Sequence, residues 1–166
     1  MKIDNDHMYH GAALIQIAEH PQFTSINSFK IRKTVIEHVY EINDGIGVHL
    51  KYASKPIGRY KEYVFGFSKD NLLQLEKTHK KLNRLFLALV CVKDREICNL
   101  TYEKLLMLIK LRKKEKGSDE EQYYIIVTVP KGKGCRVYIN APGAKNTVLG
   151  NKLIISRTDF PDSIFG

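Results

Sequence analysis

The segment VYEINDGIGVHLKYASK, Val39 to Lys55, decides how the rest of the chain is read. Asn43-Asp44-Gly45 at its centre is tight-turn chemistry, because these residue types tolerate the positive φ that a two-strand reversal needs. After the turn, Ile46, Val48, Leu50 and Tyr52 alternate with Gly47, His49 and Lys51. That period of two predicts a strand with one face in the core and with His49 and Lys51 together on the other. Before the turn, FKIRKTVIEHVYEI from Phe29 to Ile42 mixes β-branched and aromatic residues with polar ones, which predicts one long strand paired back as a hairpin.

Outward from the hairpin, Ala13, Leu14, Ile17 and Ala18 recur at helical spacing between Tyr9 and His20, and Pro21 stops that helix. A loop over 53–59 leads to a third strand over 60–67. Ser68 then caps a helix over 69–81 striped by Leu72, Leu73 and Leu75, and the apolar run 85–92 follows as a buried strand. A helix between two strands is what a crossover requires, so this strand is predicted parallel to its neighbour. A short strand over 97–100, a Thr101-capped helix ending at Gly117, a hairpin of 122–129 with 135–140, and a strand over 153–156 complete the chain. The prediction is a single α/β domain over 1–166 with a mixed sheet of five or more strands. A core over 9–92 carries a C-terminal helix and hairpin extension over 93–166.

The composition bounds the rest. With 43% hydrophobic residues in 166, the chain is able to bury a core of its own, which sets disordered and collagen-like classes aside. Its longest apolar stretch, Leu85 to Val92, is closed by Arg84 and by Lys93 to Glu96, far short of the roughly 20 residues of a membrane span. Met1 to His7 carries acids where a signal peptide carries Lys and Arg, so a cytoplasmic location is predicted. Cys91, Cys98 and Cys135 are odd in number and lack CxxC spacing, which predicts buried reduced thiols. There are 27 Lys and Arg against 18 Asp and Glu, a net charge of +9, and this makes polyanions the natural partners.

The order over 9–92, helix, three strands, helix, strand, resembles the αβββαβ core of the restriction-endonuclease-like nucleases, the PD-(D/E)xK superfamily, and Val39 to Lys55 resembles its active-site hairpin. The resemblance implies a DNA-interacting protein, with acids on the hairpin holding Mg²⁺ and a lysine steadying the attacking water and the charged transition state. On this chain it implies Lys51 as the lysine, Glu41 and Asp44 as carboxylate ligands of the metal, and Glu19 as an accessory helix acid. The chain departs from the pattern two residues before Lys51, where His49 stands in place of the second acid and offers nitrogen, a poor donor for Mg²⁺. That leaves a nuclease with a migrated acid such as Glu37, a nuclease that accepts a histidine ligand, or a fold kept for binding. Structural readings run beside these: Asp44 as an ordinary turn acid, Glu41 as a cross-strand partner of a lysine, and His49 as a lining of the sheet face.

Other features point to phosphate contacts without catalysis. Lys131 and Lys133 lie on a glycine-rich hairpin tip, and Lys55 and Arg59 lie in the loop after the candidate hairpin. Lys30, Arg32, Lys33, Lys80 and Lys81 are expected to form one contiguous basic surface with Lys55 and Arg59, and Tyr60, Tyr63, Tyr123 and Tyr124 are available to stack on bases. No helix follows the tip, so it is not a Walker loop, and neither G-x-S-x-G nor G-x-G-x-x-G occurs. Near the N-terminus, His7 and His10 stand with Asp4 and Asp6 as a second set of metal donors. The alternative function is a non-catalytic module that binds nucleic acid or an acidic protein. An apolar tail, Phe160 to Phe165, is expected to pack on its own chain or on a second subunit of a homodimer.

Overall fold

The computed structural model describes residues 1–82 and 84–166. Helix α1, Asn5–Ala18, begins earlier than the apolar spacing predicts, because Asp4 caps it. The Asp4 carboxylate accepts the His7 N–H at 2.9 Å, and His7 Nδ1 accepts the Asp4 N–H at 3.1 Å, which satisfies two backbone donors reciprocally. The long strand predicted over 29–42 is instead a hairpin of β1, Ile26–Ile31, and β2, Thr34–Ile42. Arg32 and Lys33 make its two-residue turn with φ of 50° and 68°. That conformation matches strand twist but carries no Gly or Asn to announce it.

Strand β3, Ile46–Ala53, pairs antiparallel with β2 across the predicted turn, with Val39 opposite His49 and Glu41 opposite Gly47. Ser68 caps α2, Lys69–Lys81, and the chain returns as β5, Arg84–Cys91, parallel to β3 as the crossover predicts. Strand β6, Glu96–Thr101, closes a five-stranded mixed sheet of order β1-β2-β3-β5-β6. The strand predicted over 60–67 does not join it. As β4, Tyr63–Ser68, it pairs with β7, Gln122–Thr128, in a second, antiparallel sheet of order β4-β7-β8-β9. There β8 is Cys135–Tyr138 and β9 is Leu153–Ile155. Tyr63, Phe65 and Phe67 show the alternation that either sheet demands, so periodicity cannot choose between them. The stretches 9–92 and 93–166 therefore interlock, each supplying strands to both sheets.

The layers meet on β5. Leu85, Leu87 and Leu89 face a large core built with Leu75 of α2, the apolar faces of β4 and β7, and Leu105, Leu108 and Ile109 of α3, Tyr102–Lys116. Phe86, Ala88 and Val90 face a second core with Val48 and Leu50 of β3 and Ala13 and Ile17 of α1. Phe160 and Ile164 join that second core through the short helix α4, Asp162–Phe165, so the apolar tail packs on its own chain. The three cysteines are buried and free, in line with the reading as reduced thiols. No helix among the described residues is long and apolar enough to cross a membrane.

Because Leu87 is fully buried and joins both sheets in one core, Leu87→Ala is expected to cost about 2–5 kcal/mol in urea unfolding while leaving a single transition. Two separated transitions would show that the sheets are independent units.

Candidate functional site

The hairpin residues singled out by sequence are spread along the sheet. Glu41 stands opposite Gly47, and its carboxylate accepts the Gly45 N–H at 3.0 Å, so it braces the turn. Asp44 is exposed on that turn. Lys51 lies four residues of β3 beyond Gly47, about 13 Å at strand rise. Its Nζ rests 4.8 Å from the Phe67 ring centre, and burial lowers its pKa. Glu19 is the exposed C-cap of α1, the helix that covers the face of β3 opposite to the one Lys51 lines. Glu41 and Lys51 are thus on one face yet apart, and the turn and the helix hold Asp44 and Glu19 elsewhere. Glu37 is exposed on β2, two residues before Val39, the partner of His49.

His49 does line the sheet face. It is 5% exposed, and neither ring nitrogen has a hydrogen-bond partner among the described residues. Burial, aided by Lys51, His38 and His10, pushes its imidazole down to about 3.

The N-terminal donor set divides. Asp4 and His7 are used in the cap of α1, whereas Asp6 and His10, one helical turn apart, face β2 and meet His38. The donor atoms of Asp6, His10 and His38 all lie within 4.8 Å of one another, with His38 Nδ1 3.9 Å from Asp6 Oδ2. The His10 and His38 rings meet edge to face at 5.0 Å, and Tyr52 holds the His10 ring at 5.4 Å. Burial first, then His38, lowers the pKa of His10. His38 was not legible as a partner. It takes φ of 63° inside β2, where the β1 register shifts between Ser28 and Lys30. This bulge lets Ile36 and Val39, three residues apart, enter one apolar cluster while His38 turns towards α1.

The basic residues assemble more fully. A cleft of about 720 Å³ beside the second sheet is lined by Tyr60, Lys61, Lys131, Lys152 and Arg157 together with Glu62, Asp94 and Tyr138. Tyr60 and Arg59 ride on a tight turn closed by Ile57 N–H to Glu62 O at 2.8 Å and Glu62 N–H to Ile57 O at 2.9 Å, and the Arg59 guanidinium lies 5.8 Å from the Tyr60 ring. Arg157 steadies the glycine-rich tip by donating to the Pro130 carbonyl at 3.2 Å and the Lys133 carbonyl at 3.5 Å, and it pairs with Glu96 at 2.9 Å. Both acids in the lining accept tyrosine hydroxyls, Glu62 from Tyr138 and Asp94 from Tyr63 at 2.5 Å. Lys152 Nζ sits 4.7 Å over the Tyr138 ring. Lys133 is exposed on the same tip, while Lys55 is exposed in the loop after β3 and outside the cleft lining. Arg32, Lys80 and Lys81, joined by Lys77, line a separate shallow cleft of about 370 Å³. Of the four tyrosines, Tyr63 and Tyr123 are core residues, and Tyr60 and Tyr124 are exposed. No protein-family model, curated protein or solved structure matches the chain.

The depressed His49 pKa has a sign that acid unfolding reads. Unfolded, the ring titrates near 6.5, and folded it titrates near 3, so between these values the unfolded chain holds the extra proton. The contribution of His49 is complete above about pH 6.5 and falls by about 1.4 kcal/mol per unit as pH drops towards 3. His49→Leu is expected to lose about 2–3 kcal/mol less stability than wild type between pH 7.5 and 4.5 in urea melts. Parallel profiles for the two proteins would refute the account.

Proposed function

We infer that the chain is a nucleic-acid-binding protein whose phosphate contacts come from the cleft beside the second sheet. One observation carries the reading: elements far apart in sequence bring Lys61, Lys131, Lys152 and Arg157 to one concavity with the exposed ring of Tyr60. Cations so gathered release condensed counterions when they meet phosphates, and an exposed aromatic ring offers an unpaired base a stacking face. The carboxylates in the lining are hydrogen-bonded to tyrosines, and the net charge of +9 adds a favourable long-range field. Arg157, by holding the carbonyls of the Lys131 and Lys133 tip, limits the ordering that binding would require.

The likeness to the nuclease core belongs to this proposal. Its support is the succession α1, β1-β2-β3, α2 and β5, with β5 parallel to β3, in which β4 intervenes and pairs in the other sheet. The distance between Glu41 and Lys51 favours binding without Mg²⁺-dependent cleavage at this hairpin.

Fluorescence anisotropy with single- and double-stranded DNA and with RNA oligonucleotides tests the reading. Affinity is expected to fall steeply with salt, and Lys131→Glu with Lys152→Glu is expected to weaken it about tenfold or more and to flatten the log–log salt slope by about 1.8. Salt-insensitive binding, or binding unchanged in the double variant, would remove the cleft from the interface. Mg²⁺-dependent cutting of plasmid that Lys51→Ala and Glu41→Ala both abolish would restore the nuclease reading.

A further inference from the structure

The Asp6, His10 and His38 cluster lies on the α1 side of the first sheet and shares no residue with the basic cleft. Two imidazoles and a carboxylate converge from two elements, and one of them is a histidine that is 7% exposed. The Nε2 atom of His10 has no hydrogen-bond partner among the described residues. A buried polar nitrogen left without a partner costs about 1–3 kcal/mol, a cost that a ligand engaging it would offset. An Asp6–His38 ion pair accounts for neither His10 nor its orphaned atom, because their 3.9 Å approach is complete without a third ring beside it.

We propose that Asp6, His10 and His38 bind one divalent transition-metal ion. Donor atoms of a tetrahedral shell with bonds near 2.0–2.1 Å stand about 3.3 Å apart. Those of the cluster are within 4.8 Å of one another, so small side-chain rotations close the set. Imidazole nitrogen suits Zn²⁺, Co²⁺ or Ni²⁺ and not Mg²⁺, whose shell is built from oxygen. Three protein ligands leave at least one coordination position for water or for an anionic oxygen, the arrangement found in catalytic rather than closed structural zinc sites. The resemblance to the nuclease hairpin implies a metal at Glu41 and Asp44. This site uses instead the strand β2 bulge on the N-terminal side of that hairpin and the α1 helix that packs over it.

The test uses the full chain freed of metal by chelator and titrated with Zn²⁺ by calorimetry and with Co²⁺ by visible absorption. One equivalent of each is expected to bind, with tetrahedral cobalt bands and a raised Tm, and Mg²⁺ is expected to produce neither. Asp6→Asn and His38→Ala change partly exposed side chains, so they are expected to fold as wild type by circular dichroism and to weaken binding about a hundredfold or more. His7→Ala, which alters only the helix cap, is expected to bind as wild type. Absence of saturable binding, binding retained in both cluster variants, or equal loss in His7→Ala would each overturn the assignment.

Discussion

Strand β5 is the element on which the rest of the structure depends. Its residues alternate between two cores, with Leu85, Leu87 and Leu89 on one side and Phe86, Ala88 and Val90 on the other, and almost none of it is left to water. A strand buried on both faces must be covered on both. Helix α1 and the C-terminal tail supply one cover; α2, α3 and a complete second sheet supply the other. The parallel pairing of β3 with β5 follows from the same demand, because a crossover long enough to return the chain in the same direction also carries β4 and α2 onto the second face.

This arrangement decides where polar chemistry is possible. The interior belongs to aliphatic and aromatic side chains, and a polar group admitted there, such as His49, is held neutral by its surroundings. Lys61, Lys131, Lys152 and Arg157 meet beside the second sheet, where turns and the glycine-rich tip come together. The two features of functional interest share no residue. The basic cleft is lined by loops beside the second sheet, and the His–Asp cluster is made where His38, on the same face of β2 as Tyr40 and Ile42, meets α1 beside the bulge.

Much of the fold was legible in local pattern. The Asn43-Asp44-Gly45 reversal, the Ser68 and Thr101 caps, the Gly117 stop with φ of 81° and the buried run of β5 each carry a signal in the residues themselves. The Arg32-Lys33 turn was not legible, since neither residue type signals positive φ. Nor was the placement of β4, because Tyr63, Phe65 and Phe67 fit any sheet with one buried face. Among the candidate residues, Lys131, Lys133 and Arg59 were recognised as basic tips and turns. Their neighbours Lys61, Lys152 and Arg157 were missed because nothing in their own segments marks them, and only folding brings the segments together.

What the sequence by itself determined is most of the elements, their alternating faces, the burial of the cysteines and the sign of the field that the molecule presents. These depend on near neighbours along the chain and on composition. Which sheet each strand joins, which cations share a cleft, and which histidine meets Asp6 and His10 were decided only by the tertiary structure. Those pairings join residues separated by tens of positions, and they are selected by the need to cover both faces of β5 at once, a constraint that no single segment carries.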